Sequence, residues 1–155
     1  GLMLTKDGPK LIEYNARFGD PECQVLMMRL ADDVLPILAA AANGDLDGFS
    51  PRWIADKAVT IVMAADGYPE LPLKGTVIRG IAAAELQPHV KVCLAGSALE
   101  RAGIIANGGR VLNVTATGAS VREAQERAYA GVDEIDWPEG FCRTDIGWRE
   151  IAREA

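Results

Sequence analysis

Few of the residues that stabilise secreted mini-proteins or form clustered metal centres occur in this sequence. Among its 155 residues there are only three cysteines and one histidine. Cys23, Cys93 and Cys142 stand far apart, so they offer neither an even disulfide set nor a closely spaced pair of metal ligands. We interpret them as reduced, buried thiols and therefore expect a cytoplasmic protein.

Long apolar runs and an excess of positive charge are also lacking. The longest apolar stretch, 34–42, contains Pro36 and is much shorter than the roughly 20 residues that a membrane helix needs. Lysine and arginine number 16 against 22 aspartate and glutamate residues, for a net charge of -6. This balance argues against a broad electrostatic surface for nucleic acid. We expect neither a membrane nor a nucleic-acid partner.

What the sequence does have is the composition of a folded domain, with 49% hydrophobic and 25% charged residues. Gly1 leads directly into an apolar run, so we expect the chain to be a piece of a longer protein. The runs 2–6 and 10–15 flank Asp7-Gly8-Pro9, whose glycine and aspartate favour a tight turn. This pattern predicts a β-hairpin at the start of the chain.

Two helices are predicted to follow the hairpin. Asp20 suits the cap of a helix and Pro21 its first position. Since Pro36 is not tolerated inside a long helix, we expect a break near Asp32, whose side chain would cap the second helix. That helix is expected to end at Asn43-Gly44.

After a connector at 45–56, the pattern changes to short β-branched and apolar runs separated by glycine and proline. We predict strands at 57–64, 76–81, 90–94, 103–106 and 110–117, with the last two joined as a hairpin by Asn107-Gly108-Gly109. Ser120 and Glu123 form a capping box that begins an amphipathic helix.

These elements predict an α+β fold in two parts. Residues 1–55 would combine antiparallel strands with helices. Residues 56–155 would form a small, β-rich, barrel-like domain with one covering helix.

A candidate cation site lies on the second predicted strand. Alternate residues of a strand share a face, so Glu13 and Asn15 point the same way with backbones about 6.6 Å apart. Carboxylate and amide oxygens are hard donors of the kind that Mg²⁺ or Mn²⁺ accepts. Spacing alone is weak evidence for a cation site, because a glutamate and an asparagine on a solvated hairpin face are the commoner explanation.

A candidate anion site follows directly. Arg17 and the helix start at Asp20 combine a guanidinium fork with free N–H groups, which suits a phosphate or carboxylate. The alternative is that Asp20 only caps the helix and Arg17 pairs with a neighbouring acid.

These residues belong to a longer motif that resembles a known family. The segment resembles the signature of phosphoribosylamine-glycine ligases, the ATP-grasp glycinamide ribonucleotide synthetases of purine biosynthesis, over Leu11-Ile12-Glu13-Tyr14-Asn15-Ala16-Arg17-Phe18-Gly19-Asp20-Pro21-Glu22-Cys23-Gln24-Val25. Further matches are Gly67-Tyr68-Pro69, Lys74-Gly75-Thr76-Val77-Ile78, Asn107-Gly108-Gly109-Arg110-Val111-Leu112, Ala128-Tyr129 and Arg143-Thr144-Asp145-Ile146-Gly147. One departure is Leu94, where the family usually has histidine.

The resemblance implies that 1–55 is the C-terminal segment of an ATP-grasp domain and that the N-terminal portion of the enzyme is missing. In this family, ATP phosphorylates the carboxylate of glycine, and the amine of 5-phosphoribosylamine then attacks the acyl phosphate. The products are glycinamide ribonucleotide, ADP and phosphate. The resemblance thus implies glycine, 5-phosphoribosylamine, ATP and a divalent metal ion as partners, and a chain that is inactive alone.

Residue by residue, the resemblance makes Glu13 and Asn15 the ligands of the nucleotide-bound metal, with a further acidic ligand upstream of Gly1. Arg17, Gly19 and Asp20 would line the phosphate and glycine end of the site, with Arg17 as the catalytic residue. Arg110 can bring a cation to the same cleft, although a tight hairpin also explains the glycines before it.

Two other functions remain open at this point. The chain can belong to another ATP-grasp carboxylate-amine ligase, because metal coordination is shared more widely than substrate choice. It can also be a noncatalytic module that docks to a separate partner chain through an exposed apolar patch.

Overall fold

The computed structural model describes residues 1–154, and these form antiparallel strands and helices, as the α+β prediction requires. The strands are Leu2–Thr5 (β1), Gly8–Leu11 (β2), Lys57–Ala65 (β3), Val90–Leu94 (β4), Ser97–Glu100 (β5), Gly103–Ala106 (β6), Arg110–Gly118 (β7) and Gly140–Cys142 (β8). The helices are Glu22–Arg29 (α1), Val34–Ala42 (α2), Ile81–Ala84 (α3), Val121–Asp133 (α4) and Trp148–Glu154 (α5). In this described part of the chain, no helix has the length and apolar character that crossing a membrane requires.

The opening hairpin forms, but its second strand is shorter than predicted. In the β1–β2 register Leu2 lies opposite Leu11 and Thr5 opposite Gly8, where a φ of 96° needs glycine. Past Leu11 ladder pairing stops, and residues 12–20 lie outside the strands. The predicted second strand therefore ends at Leu11 and does not reach Asn15.

The caps of both early helices differ from the prediction by one residue. The N-cap of α1 is Pro21, and no side chain caps this helix. For α2, the carboxylate of Asp33 accepts a hydrogen bond from the backbone N–H of Leu35 at 2.9 Å. Asp32 instead accepts from the backbone N–H of Arg52 at 2.6 Å, and so ties the helix break to the later connector.

A four-stranded sheet in the order β4-β7-β3-β8 forms the core of the second part, and every strand pair is antiparallel. Because side chains alternate along β7, Leu112, Val114 and Ala116 share one face, and all three are fully buried. The helix α4 covers this face closely, since a Cβ at Gly131 would lie 2.9 Å from methyl groups of Val90 and Val114. The covering helix is therefore confirmed.

The opposite face of β7 is also buried, although it carries polar side chains. Asn113 and Thr115 are fully buried there, and Thr115 exchanges a 2.7 Å hydroxyl–hydroxyl hydrogen bond with Thr60 of β3. The helix α1 contacts β3 and β7. The sheet thus lies between α4 on its apolar face and α1 on its mixed face, and residues 1–55 pack directly onto the strands of residues 56–155.

Two strand predictions were wrong in detail. Residues 76–81 form no named strand; Val77 makes an isolated bridge to Ile105, and Arg79 makes another to Asp136. The strand β6 pairs with β5, whereas β7 pairs with β3 and β4. Asn107-Gly108-Gly109 therefore connects two separate sheets instead of closing a hairpin.

Close approach of neighbouring groups explains the glycines of this connection. A Cβ at Gly108 would lie 3.0 Å from the Cα of Gly96, and a Cβ at Gly109 would overlap the ring of Tyr68. Glycine keeps space free at these positions, because any larger side chain would push Tyr68 or the backbone at Gly96 away.

A tyrosine joins α4 to the loop before the terminal helix. The Tyr129 hydroxyl donates to the carbonyl of Arg143 at 2.7 Å and accepts from the backbone N–H of Ile146 at 3.2 Å. Burial raises the pKa of Tyr129, so the hydroxyl keeps its proton and continues to donate at neutral pH. The Ala128-Tyr129 and Arg143–Gly147 motifs of the sequence are thus parts of one contact.

The three cysteines are free and half-buried. Burial raises the pKa of the Cys93 and Cys142 thiols, so both stay protonated at neutral pH.

Gly80 and Gly75 provide a matched test of packing in this fold. Both have positive φ, 82° and 81°, but a Cβ at Gly80 would overlap the carbonyl oxygen of Glu134, whereas Gly75 has open space. Gly75→Ala should cost about 1 to 2 kcal/mol of unfolding free energy, from backbone strain alone. Gly80→Ala should cost roughly 3 kcal/mol or more, because the strand-like contact between Arg79 and Asp136 must also shift. Urea unfolding followed by tryptophan fluorescence measures both variants, and equal losses would contradict the assigned overlap.

Candidate active site

Glu13 and Asn15 lie next to each other in the loop after β2, which we call the site loop (residues 12–20). The Asn15 amide donates to the Glu13 carboxylate across 3.2 Å, and both residues are exposed. The two side chains therefore share one side of the chain, as predicted, even though this stretch is not a strand. The intervening Tyr14 is 87% exposed as well.

These two side chains fit a divalent cation as an incomplete donor set. Turning the Asn15 amide over would place its carbonyl oxygen beside the Glu13 carboxylate, and both are donors that Mg²⁺ or Mn²⁺ prefers. Within residues 1–154, histidine, cysteine, aspartate and glutamate nowhere gather in a group of three that can hold a metal. A complete coordination sphere would need oxygen atoms from a bound phosphate, water or a further segment.

Arg17 lies at an exposed bend of the site loop. Its guanidinium donates to the carbonyl of the adjacent Phe18 at 2.7 Å. Asn15, Ala16, Arg17 and Phe18 line a shallow, open depression. The side chain forms no ion pair with any described residue, so its charge is available to an anion in that depression.

Gly19 and Asp20 end the site loop at the start of α1. The carbonyl of Gly19 accepts from the backbone N–H of Cys23 at 2.9 Å, which begins the helical hydrogen bonding. The side chain of Glu22 folds over Gly19, where a Cβ would overlap it. The expectation that Asp20 caps the helix was wrong, because its carboxylate faces the sheet instead.

Asp20 is held by three side chains, two of which come from β7. Arg110 donates to the Asp20 carbonyl at 2.9 Å and pairs with its carboxylate at 3.3 Å. The amides of Gln24 and Asn113 donate to the other carboxylate oxygen at 3.1 and 3.4 Å. Because the ion pair with Arg110 is about one-third exposed, it contributes at most about 1 kcal/mol to stability. Its main effect is to fix the position of Asp20.

Asn113 is the member of this group that the sequence pattern did not predict. It sits in the centre of β7, opposite Val62 and Cys93, and is fully buried. An asparagine inside a run of β-branched and apolar residues was the signal that could have identified it, because a buried amide needs a polar partner. Its Oδ1 and the Oε1 of Gln24 are buried without a hydrogen-bond partner among residues 1–154.

Comparison with known proteins shows the family of this chain. Residues 58–149 match the family model described as phosphoribosylglycinamide synthetase, C domain, and residues 1–23 match that of the ATP-grasp (A) domain. The chain belongs to the phosphoribosylglycinamide synthetase family. The motif that carries Glu13, Arg17 and Asp20 thus begins inside the part that matches the ATP-grasp model, whereas Arg110 and Asn113 lie in the part that matches the C domain.

Relatives of known name are similar along the whole chain. A phosphoribosylamine–glycine ligase of Mesorhizobium japonicum is 62% identical over 154 residues, covering 99% of this chain and 36% of the relative. A phosphoribosylamine–glycine ligase of Brucella melitensis is 58% identical, again over 99% of this chain and 36% of the relative. A chloroplastic one from Arabidopsis thaliana is 52% identical over 99% of this chain and 30% of the relative.

A solved structure is similar as well. The crystal structure of phosphoribosylamine–glycine ligase from Thermotoga maritima superimposes with a TM-score of 0.75 at 32% identity, over 94% of this chain and 35% of that chain. This chain therefore spans about a third of the length of the family members that it matches.

Changing Asn113 to aspartate tests the buried contact to Asp20. Asn113→Asp places a carboxylate at a fully buried position, about 3.4 Å from the carboxylate of Asp20. We therefore expect the free energy of unfolding to fall by roughly 2 to 4 kcal/mol at pH 7. The folded state must raise the pKa of the new carboxyl above the value of about 4 in the unfolded chain, so the folded state binds more protons. The loss should therefore shrink as the pH falls toward 4.

The control is Asn107→Asp, which adds the same charge at an exposed position and should leave stability unchanged within about 0.5 kcal/mol. Denaturant unfolding at several pH values measures both variants. A loss for Asn113→Asp that is equal at pH 5 and pH 8 would contradict the contact.

Proposed function

We propose that this chain is the C-terminal portion of an ATP-dependent ligase that joins glycine to 5-phosphoribosylamine in purine biosynthesis. The observation that carries the proposal is the 62% identity, over nearly the whole chain, to a protein named phosphoribosylamine–glycine ligase. The grouping of Glu13, Asn15, Arg17 and Asp20 in one loop at the start of α1 is compatible with it.

The chemistry that such a ligase needs explains the types of residue in the loop. A carboxylate is a poor electrophile until one of its oxygen atoms becomes part of a good leaving group. Transfer of the γ-phosphoryl group of ATP to the glycine carboxylate gives an acyl phosphate, with ADP released. The amine of 5-phosphoribosylamine then forms the new C–N bond, phosphate leaves with the C–O electron pair, and the amine loses a proton.

Transfer of a phosphoryl group depends mainly on positioning and on charge that offsets the phosphate oxygens. In our proposal Glu13 and Asn15 supply two oxygen donors for a metal ion, Mg²⁺ or Mn²⁺, which when bound would neutralise part of this charge. Arg17 turns from the Phe18 carbonyl toward the transferred phosphate and stabilises its negative charge. Gly19 and Asp20 line the end of the site at which glycine binds.

The remaining donors would come from the part of the enzyme that precedes this chain in its longer relatives. The exposed apolar residues of the first part of the chain support a large contact there: Leu2 is 65%, Leu4 81% and Ile12 62% exposed. The same surface also fits the second candidate, a noncatalytic module that docks to a separate partner chain. A cytoplasmic location stays a prediction, because one relative is named as chloroplastic.

Glu13→Gln tests the assignment of the metal ligand. In an intact enzyme that carries this segment, loss of the negative charge should raise the Mg²⁺ concentration required for half-maximal activity and lower kcat by roughly tenfold to a hundredfold. ADP release measured over a range of Mg²⁺ concentrations gives both quantities. The matched control is Glu126→Gln on the exposed side of α4, which should behave as wild type. A Glu13→Gln enzyme with an unchanged Mg²⁺ requirement would contradict the assignment.

The chain by itself should be inactive. Because two donors and an open depression do not complete a nucleotide site, the purified chain should show no glycine-dependent ADP formation and only weak binding of Mg-ATP. The same assay on the full-length enzyme is the positive control. Robust turnover by the isolated chain would show that the site is complete without the preceding part.

A further inference from the structure

We propose that Arg110 is a positioning residue: by binding the carbonyl and carboxylate of Asp20, it holds the site loop in the position that catalysis requires. Asp20 closes the loop that carries Glu13, Asn15 and Arg17. The inference rests on the proposed function, since only that function gives the site loop a role in catalysis.

Two contacts from one guanidinium connect residues that are 90 positions apart in the sequence. Nη1 of Arg110 donates to the Asp20 carbonyl at 2.9 Å, and Nη2 lies 3.3 Å from the carboxylate. The planar fork of arginine binds both groups at once, so it determines the orientation of the Asp20 backbone as well as its position.

Arg110 is itself held by its own surroundings. It is the first residue of β7 and pairs with Ala64 of β3, and its carbonyl accepts from the backbone N–H of Gly96 at 3.0 Å. The ring of Tyr68 packs against the preceding Gly109. The backbone that carries the guanidinium is therefore braced from β3, from the turn after β4 and from the Tyr68 loop.

Asp20 is bound through both its carbonyl and its carboxylate. It does not cap α1, and its second carboxylate oxygen is already occupied by the amides of Gln24 and Asn113. Asn113 is fully buried in β7, an inner strand of the sheet, so this contact joins Asp20 to the buried core of the second part of the chain. Arg110 then controls the direction in which the chain leaves Asp20 toward Arg17.

A direct contact between Arg110 and a substrate anion is the competing explanation, because the side chain is 40% exposed. The two explanations differ in their dependence on Asp20. A residue that acts through Asp20 loses the part of its effect that the carboxylate carries once that carboxylate is removed, whereas a direct contact with the substrate is lost independently. A double-mutant cycle separates these cases.

The experiment uses a full-length enzyme that carries this segment, with Arg110→Gln, Asp20→Asn and the double variant. We expect Arg110→Gln to lower kcat by about tenfold to a hundredfold, the range that misplacement of catalytic groups produces. The Mg²⁺ requirement should rise as well, because Glu13 and Asn15 lie on the same loop. The double variant should be clearly less impaired than the product of the two single effects, because Asp20→Asn already removes the charged contact and leaves only the contact of Arg110 with the Asp20 carbonyl. Arg110→Lys should recover part of the activity because it keeps one charged contact.

Four outcomes would overturn the proposal. These are wild-type kinetics of Arg110→Gln, multiplication of the two single effects in the double variant, no recovery with Arg110→Lys, and an effect confined to a higher KM for the phosphoribosylamine substrate. The last outcome would assign Arg110 to substrate binding instead.

Arg153→Gln is the control for loss of an ion-paired arginine, since Arg153 pairs with Glu150 on the terminal helix, away from the site loop in sequence and contacts. It should be unchanged in kcat and Mg²⁺ requirement. If Arg110→Gln does not fold, the cycle of Arg110→Lys with Asp20→Asn decides in the same way. A wild-type enzyme that does not ligate glycine would refute the proposed function, whereas an active wild type with a multiplicative cycle would refute only the role of Arg110.

Discussion

Helix α1 packs on the mixed face of β7 and β3, and this contact places the first part of the chain on the sheet. That face is buried although it carries Asn113 and Thr115, and a buried amide or hydroxyl is costly without a hydrogen-bond partner. Thr60 satisfies Thr115, and Asp20 accepts from Asn113. Arg110 and Asn113 of β7 therefore fix Asp20 of the first part of the chain on the sheet, whereas apolar burial beneath α4 holds the sheet together.

This arrangement shows how the family motif at residues 11–25 is joined to the later strands of the chain. The site loop has few hydrogen bonds of its own beyond Asn15 to Glu13 and Arg17 to Phe18, and both are local. Its position relative to the sheet is set at its end, where Asp20 meets Arg110. A segment boundary near residue 55 stays a prediction, and the packing of α1 on the sheet shows that the two parts are not structurally independent.

Local patterns predicted many of the elements correctly because local chemistry dictates them. Gly8 needs a positive φ, Pro36 forces a helix break, and Ser120 caps α4 by accepting from the N–H of Glu123, as the capping box predicted. Local patterns gave wrong predictions where a strand could pair with more than one neighbouring strand. Residues 76–81 have β propensity but only isolated bridges, and β6 has the turn signal for a hairpin with β7 but pairs with β5.

At the site, the local sequence was enough to group the chemically useful residues, because Glu13, Asn15, Arg17 and Asp20 are close in the chain and no fold can separate them far. It also determined the resemblance that the family match confirmed. The orientation of Asp20 toward the sheet, and its contacts with Arg110 and Asn113, became visible only in the folded chain. Those contacts join residues about 90 positions apart, and local pattern carries no information about which distant polar group a buried strand will meet.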